Sequence, residues 1–269
     1  MLGSRRDLRH YPGFGLATGL GLLFLYGPIV VIAVYSFNEI RSITVWGGFS
    51  LDWYRQALAN EAIQRATINS LLIATGAATV ATAVATLAAL ALKGLRGKSY
   101  GATFALLNLP LTVPEIVTAV ASLLFFLLVG IPLGLGTVFI AHAVFCIPFA
   151  FLPISARLAG LDHRLTEAAR DLYATPGQAF RQVTLPLLMP GIVAGYMLAF
   201  IISLDDFIIT NLVAGPGATT LPVAIYGMAR VGFTPEINAI STLLLGVSVA
   251  MVTLSYFVGR RPGGRRSAP

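Results

Sequence analysis

The chain has 269 residues, 57% of them hydrophobic and 11% charged, with a mean hydropathy of +0.82. Soluble globular domains carry about 25% charged residues, so this composition excludes one and points to a chain that crosses a membrane repeatedly. The net charge of +7 does not signal nucleic acid, because Lys and Arg are confined to particular loops, and the single cysteine, Cys146, excludes an intrachain disulfide.

The opening stretch, MLGSRRDLRHYPG, is basic and precedes a long apolar run. No small-residue cleavage site follows Phe37, so the run reads as an uncleaved first membrane helix and not as a signal peptide. A span needs about 20 apolar residues. Six candidates appear, at 14–36, 67–92, 101–129, 135–157, 189–212 and 237–259, the last opened by Pro235. The expectation is an all-α polytopic membrane protein, with a tail at 1–13, six spans within 14–259 and a basic tail at 260–269. Fourteen of the 18 Lys and Arg fall on one side of this arrangement; only Arg41, Arg55, Arg65 and Arg230 fall on the other. The positive-inside bias therefore predicts both termini and the 158–188 connector in the cytoplasm.

Gly15 and Gly19 give the first span a GxxxG. The second span, NSLLIATGAATVATAVATLAALAL, carries small residues at Ala74, Ala78, Thr82, Ala85 and Ala89, a seam that lets backbones approach closely in lipid. In the third, Pro110 and Pro114 are expected to break the helix and leave Glu115 in the first turn of its second half, where the helix dipole favours a carboxylate. Such irregular backbone is tolerated where it lines a cavity. His142 and Cys146 share a face of the fourth span, but two ligands without a third make a poor metal site. The fifth contains ISLDDFIITN, with Asp205, Asp206 and Asn211. Helix neighbours point about 100° apart, so one carboxylate is expected to face a solute pathway and the other a neighbouring helix. Acids in the spans with no basic counterpart favour a cationic solute.

The connector between spans four and five is a different kind of sequence. Apolar residues at 161, 165, 168, 169 and 172 form one helix face, opposite Arg164, Glu167, Arg170 and Asp171. Asp162 fits an N-cap. Thr175-Pro176 restarts the chain, with Gln178 completing a capping box. The second short helix is expected to end before Pro186 and Pro190. No phosphate-cradling loop exists: GKS at 97–99 lacks the first glycine, since Leu92 stands there. No nucleophile–base constellation emerges, so neither enzyme activity nor a cofactor is expected of this chain.

The stretch EAARDLYATPGQAFRQVTLPLLMPG, residues 167–191, resembles the EAA loop of permease subunits of binding-protein-dependent ABC importers. Glu167-Ala168-Ala169 is followed by three residues, then Tyr173 where the family usually has glycine, then nine more and Val183-Thr184-Leu185-Pro186. A non-glycine residue in the left-handed conformation that ends such a helix costs about 1 kcal/mol. WGGFSLDWY, LPLTVPEIVTAV, HAVFCIPFAFLP and SLDDFIITNLVAGPGATTLPVAIYGMA are similar to the second permease subunit of spermidine/putrescine importers.

This resemblance implies a MetI-like bundle of six transmembrane helices in the bacterial inner membrane, forming half of a heterodimeric two-permease pore. An ATPase dimer, which holds the ATP and Mg, would dock on Glu167, Ala168, Ala169, Leu172, Tyr173, Leu185 and Pro186. A periplasmic binding protein would meet the loops at 37–66 and 213–236, where Trp46, Trp53 and Tyr54 fit either that contact or membrane-interface anchors. Glu115, Asp205, Asp206 and Asn211 would line the path of the solute. Members of the same family carry opines, aminoethylphosphonate or other small compounds. The competing class is a self-sufficient secondary transporter or membrane enzyme, and no inverted repeat or catalytic cluster supports it.

Overall fold

The computed structural model describes residues 13–42, 44–95, 97–232 and 234–259; apart from Gly13, the predicted tails lie outside them. Among the described residues every regular element is helical, with one isolated antiparallel bridge between Asn38 and Phe49. The chain divides into two compact units.

The first unit comprises residues up to Asn60 together with Met228–Leu245. Helix α1 (Phe14–Tyr35) is apolar all round and buries none of its residues. Within this unit its GxxxG packs on none of the described residues: a Cβ at Gly15 or Gly19 would meet no described atom within 4 Å. The loop after α1 is wound about Asn38. The Asn38 amide donates to Ser42 O at 2.7 Å and Val45 O at 2.8 Å, its oxygen accepts from Gly47 N at 2.8 Å, and Trp53 Nε1 donates to Asn38 O at 2.7 Å. The Tyr54 hydroxyl lies 2.6 Å from Ser36 Oγ. Trp53 and Tyr54, in the first turn of the short helix α2 (Asp52–Ala59), are thus used to fold the loop before it, whereas Trp46 stays 47% exposed with its ring edge-on to Tyr35.

The second unit runs over Glu61–Gly227 and resumes at Gly246. Its helices are α3 (Glu61–Leu92), α4 (Gly97–Thr112), α5 (Glu115–Val129), α6 (Leu135–Ala159), α7 (His163–Asp171), α8 (Pro176–Ala179), α9 (Leu185–Asp205), α10 (Ile208–Val213) and most of α11 (Leu221–Val231). α12 (Pro235–Gly259) contributes its last part. The core is α3 against α6 and α9, with α10 packed on α5. The small-residue seam of α3 makes that approach feasible: Ala74, Ala78, Thr82, Ala85 and Ala89 are all buried, joined by Ala77 and Ala81. In lipid this packing is driven by close van der Waals fit, since apolar burial gives helices no reason to associate there.

Glycines mark the tightest approaches. A Cβ at Gly195 of α9 would lie 2.7 Å from the Ala150 carbonyl oxygen and 3.1 Å from the Ile154 side chain on α6. A backbone oxygen cannot swing aside, and overpacking of this kind costs about 1–3 kcal/mol. Gly195→Val is therefore expected to lower the yield and thermal midpoint of the purified permease, whereas Gly19→Val in α1 leaves both unchanged. Detergent-solubilised thermal unfolding followed by size exclusion measures the difference.

Five described helices are long and apolar enough to span a membrane, and six spans result when the bent pair α4–α5 counts as one. That pair turns by 105°. The break falls at Val113-Pro114, while Pro110 remains inside α4. One proline breaks the helix and the other does not.

The fifth span corrects the expectation twice. The connector's second helix does not stop before Pro186 and Pro190: α8 continues through a π-helical segment, Phe180–Thr184, into α9. The Leu185 N–H reaches back five residues to Phe180 O, and this widened turn gives the Pro186 ring room it would lack in an α-turn. Arg157 Nε supports the next turn by donating to Leu187 O at 2.9 Å. The span accordingly occupies Pro176–Asp205 rather than 189–212, and Asp206 is not helical.

Candidate functional site

Two places in the second unit carry polar chemistry. One is built where two helices break. α9 ends at Asp205, and Asp206 takes extended backbone (φ −63°, ψ 126°) before α10 begins at Ile208. Carboxylates at the negative end of a helix dipole disfavour its continuation, and the Asp206 carboxylate instead serves the next helix: Oδ1 accepts from Thr210 N at 3.0 Å and from Thr210 Oγ1 at 3.2 Å.

His142, two turns into α6, completes this cluster. Its Nε2 lies 3.1 Å from Asp206 Oδ1 and 2.9 Å from Thr210 Oγ1, and its Nδ1 lies 2.8 Å from Ser203 Oγ. With the proton on Nε2, Ser203 donates to Nδ1 while the ring N–H points between Thr210 Oγ1 and Asp206 Oδ1. The side chains of His142 and Asp206 are 1% and 2% exposed, so these bonds form away from solvent. Asp206 Oδ2 is also buried and has no well-formed hydrogen bond. The carboxyl of Glu115, the first residue of α5, comes close enough to interact with that of Asp206.

The structure therefore sorts the acids predicted from sequence. Glu115 and Asp206 are brought together. Asp205 points elsewhere, exposed, with Ser248 Oγ 3.4 Å from its Oδ1. Asn211 lies exposed on α10, outside the cluster. Cys146 is a buried thiol that donates to Ala199 O at 3.5 Å, and no described group of three or more His, Cys, Asp and Glu could hold a metal ion.

Sequence reasoning missed His142 as a partner of the acids, together with Ser203 and Thr210. The signal existed: positions 203, 206 and 210 are polar at helical spacing (i, i+3, i+7), with a lone histidine in the preceding span. Chemically, an unused carboxylate oxygen beside a second carboxyl suits a hydrogen-bond-donating cation.

The other polar place is the connector. Asp162 caps α7 through Arg164 N at 2.9 Å. The far end of α7 is closed by Tyr173 N bonding Arg170 O at 2.9 Å and Ala174 N bonding Ala169 O at 3.1 Å, the paired bonds of a Schellman ending. Tyr173 accordingly takes φ 64°, the single non-glycine residue with positive φ among those described. Tyrosine occupies the left-handed position and carries its cost. The predicted capping box is present: Gln178 N donates to Thr175 Oγ1 at 3.3 Å, and Thr175 N to Gln178 Oε1 at 2.8 Å. Glu167 and Ala168 are exposed, Ala169 and Leu185 half-buried, Pro186 exposed, and Leu172 and Tyr173 are 82% and 97% exposed. Leu172 and Tyr173 thus stand open at the end of a connector whose helices are capped on both sides of the turn.

Apolar spans with acids at two helix breaks and an exposed helical connector fit the permease class of membrane transport subunit. The chain belongs to the inner membrane components of binding-protein-dependent transport systems, whose pattern matches residues 81–261. It is 40% identical over 255 residues to the putrescine transport system permease protein PotI of Escherichia coli, covering 92% of this chain and 90% of that protein. It is likewise 40% identical over 238 residues to the spermidine/putrescine transport system permease protein PotC of Haemophilus influenzae, covering 88% and 93%. Among solved structures, a bacterial alginate ABC transporter matches with a TM-score of 0.68 at 18% identity, covering 90% of this chain and 91% of that one. The MetNI methionine ABC transporter matches with 0.62 at 22% identity, covering 73% and 94%. The fold is thus that of MetI-like ABC importer permeases, and the chain is a transport subunit, not an enzyme.

Proposed function

We propose that this permease conducts a polyamine, a putrescine- or spermidine-like cation, across the inner membrane. The observation that carries the reading is the juxtaposition of Glu115 with the buried Asp206, whose Oδ2 is left without a well-formed hydrogen bond. An alkyl ammonium supplies the donors and the charge that this pair lacks, and a buried anion gains most from such a partner. The transport systems named for the two relatives above handle the same class of solute. Asp205 and Asn211, apart from the pair, would belong to the approach.

In the same proposal the termini and the connector face the cytoplasm, a second permease supplies the other half of the pore, and an ATPase dimer carrying ATP and Mg docks on Glu167 to Pro186. A periplasmic binding protein would meet the loops at 37–66 and 213–236. Within the first unit, Arg41, Met228, Thr234 and Glu236 line a cleft of about 470 Å³ suited to such contact.

Reconstituting the complete transporter in proteoliposomes tests the reading. Putrescine or spermidine on the binding protein should accumulate in the lumen with ATP and should stimulate ATP hydrolysis. Opines or aminoethylphosphonate should neither accumulate nor compete. Accumulation by this subunit without any ATPase would instead mark a secondary transporter.

A further inference from the structure

We infer that His142 is a positioning residue for solute passage: it commits one oxygen of Asp206 to the protein and so presents the other to the cation. The inference rests on the polyamine reading above. Three elements meet at this imidazole, α6 through His142 itself, α9 through Ser203, and α10 through Thr210. Asp206 lies at the break between the last two.

A carboxylate free to rotate about its own axis offers either oxygen to any donor. Here rotation is blocked. Oδ1 is held by Thr210 N, Thr210 Oγ1 and His142 Nε2, all within 3.2 Å, while Oδ2 is left buried without a well-formed hydrogen bond. Thr210 is in turn held by His142 Nε2, and the ring is held by Ser203. The imidazole thus fixes both the acid and the hydroxyl that supports it. Simple packing would not require this chemistry, because an aliphatic side chain fills a buried site in a span without the cost of burying polar groups.

The test separates the two ring nitrogens. Glutamine places an amide N–H near the position of Nε2 and keeps the bond to Asp206. Asparagine reaches only as far as Nδ1, so it keeps Ser203 and loses Asp206. In the complete transporter, His142→Gln is expected to retain polyamine uptake within about threefold of the native rate, and His142→Asn to lose roughly tenfold or more. Binding-protein-stimulated ATP hydrolysis should stay near native in both, because the connector is untouched. His142→Asn combined with Asp206→Asn should be no worse than Asp206→Asn alone, the signature of two residues acting as one.

Native uptake by His142→Asn, equal losses in the Gln and Asn variants, or a parallel fall in uptake and ATP hydrolysis would each overturn the positioning role while leaving the polyamine site standing. Native uptake by Asp206→Asn would remove the site itself, and the inference with it.

Discussion

Asp206→Asn is expected to lower ATP-driven polyamine uptake by roughly ten- to hundredfold, the loss of a charge-assisted hydrogen bond worth about 1.5–3 kcal/mol. The substitution is chosen because it removes the charge and little else. The asparagine oxygen can still accept from Thr210 N and Thr210 Oγ1, as Asp206 Oδ1 does, so the break between α9 and α10 survives. What changes is the group facing Glu115: an amide N–H₂ replaces an oxygen and repels the ammonium it should receive. Glu115→Gln is expected to act in the same direction with a smaller effect, since Glu115 is only half-buried and its lost charge is better screened. Uptake by proteoliposomes, normalised to assembled complex, reads both. Native rates in the two variants together would sink the acidic site.

The second large effect belongs to the connector. Leu172 is 82% exposed, so Leu172→Asp leaves the subunit itself within about 0.5 kcal/mol of native stability. Seated in the cleft of an ATPase, the same residue would bury an unpaired carboxylate, at a cost of about 3 kcal/mol or more and hence roughly hundredfold weaker docking. Co-purification of the ATPase should fail, and hydrolysis should no longer respond to loaded binding protein, while the permease elutes at its usual volume. Full co-purification and full stimulation by this variant would mean that the motor docks elsewhere. The Asp162 cap and the Schellman ending at Tyr173 bracket Leu172, which suits the docking role proposed for this segment.

How much of this was legible beforehand depends on the distance over which each cause acts. The apolar runs, the small-residue face of α3, the Asp162 cap, the Thr175–Gln178 box and the break before Glu115 were all readable. Each is a property of one helical turn or of one side chain's fit to its own backbone. At Tyr173 the resemblance, which usually has glycine there, left open whether the turn is left-handed or built differently, and the structure takes the left-handed form. The error at Pro186 came from treating a proline rule as local and absolute. A π-turn one step upstream relieves the clash, and α9 held against α6 and α3 keeps the helix going.

By itself, the sequence determined a helical, membrane-spanning chain with a capped polar connector, because periodicity, caps and composition act over a few residues. Only the tertiary structure decided which acids meet. Ser203 and Thr210 stand 61 and 68 residues from His142, and Glu115 reaches Asp206 from another helix again. Spacing along a helix fixes the face a side chain occupies. It does not fix which distant face packs against it, and the choice between Asp205 and Asp206 rests on that packing.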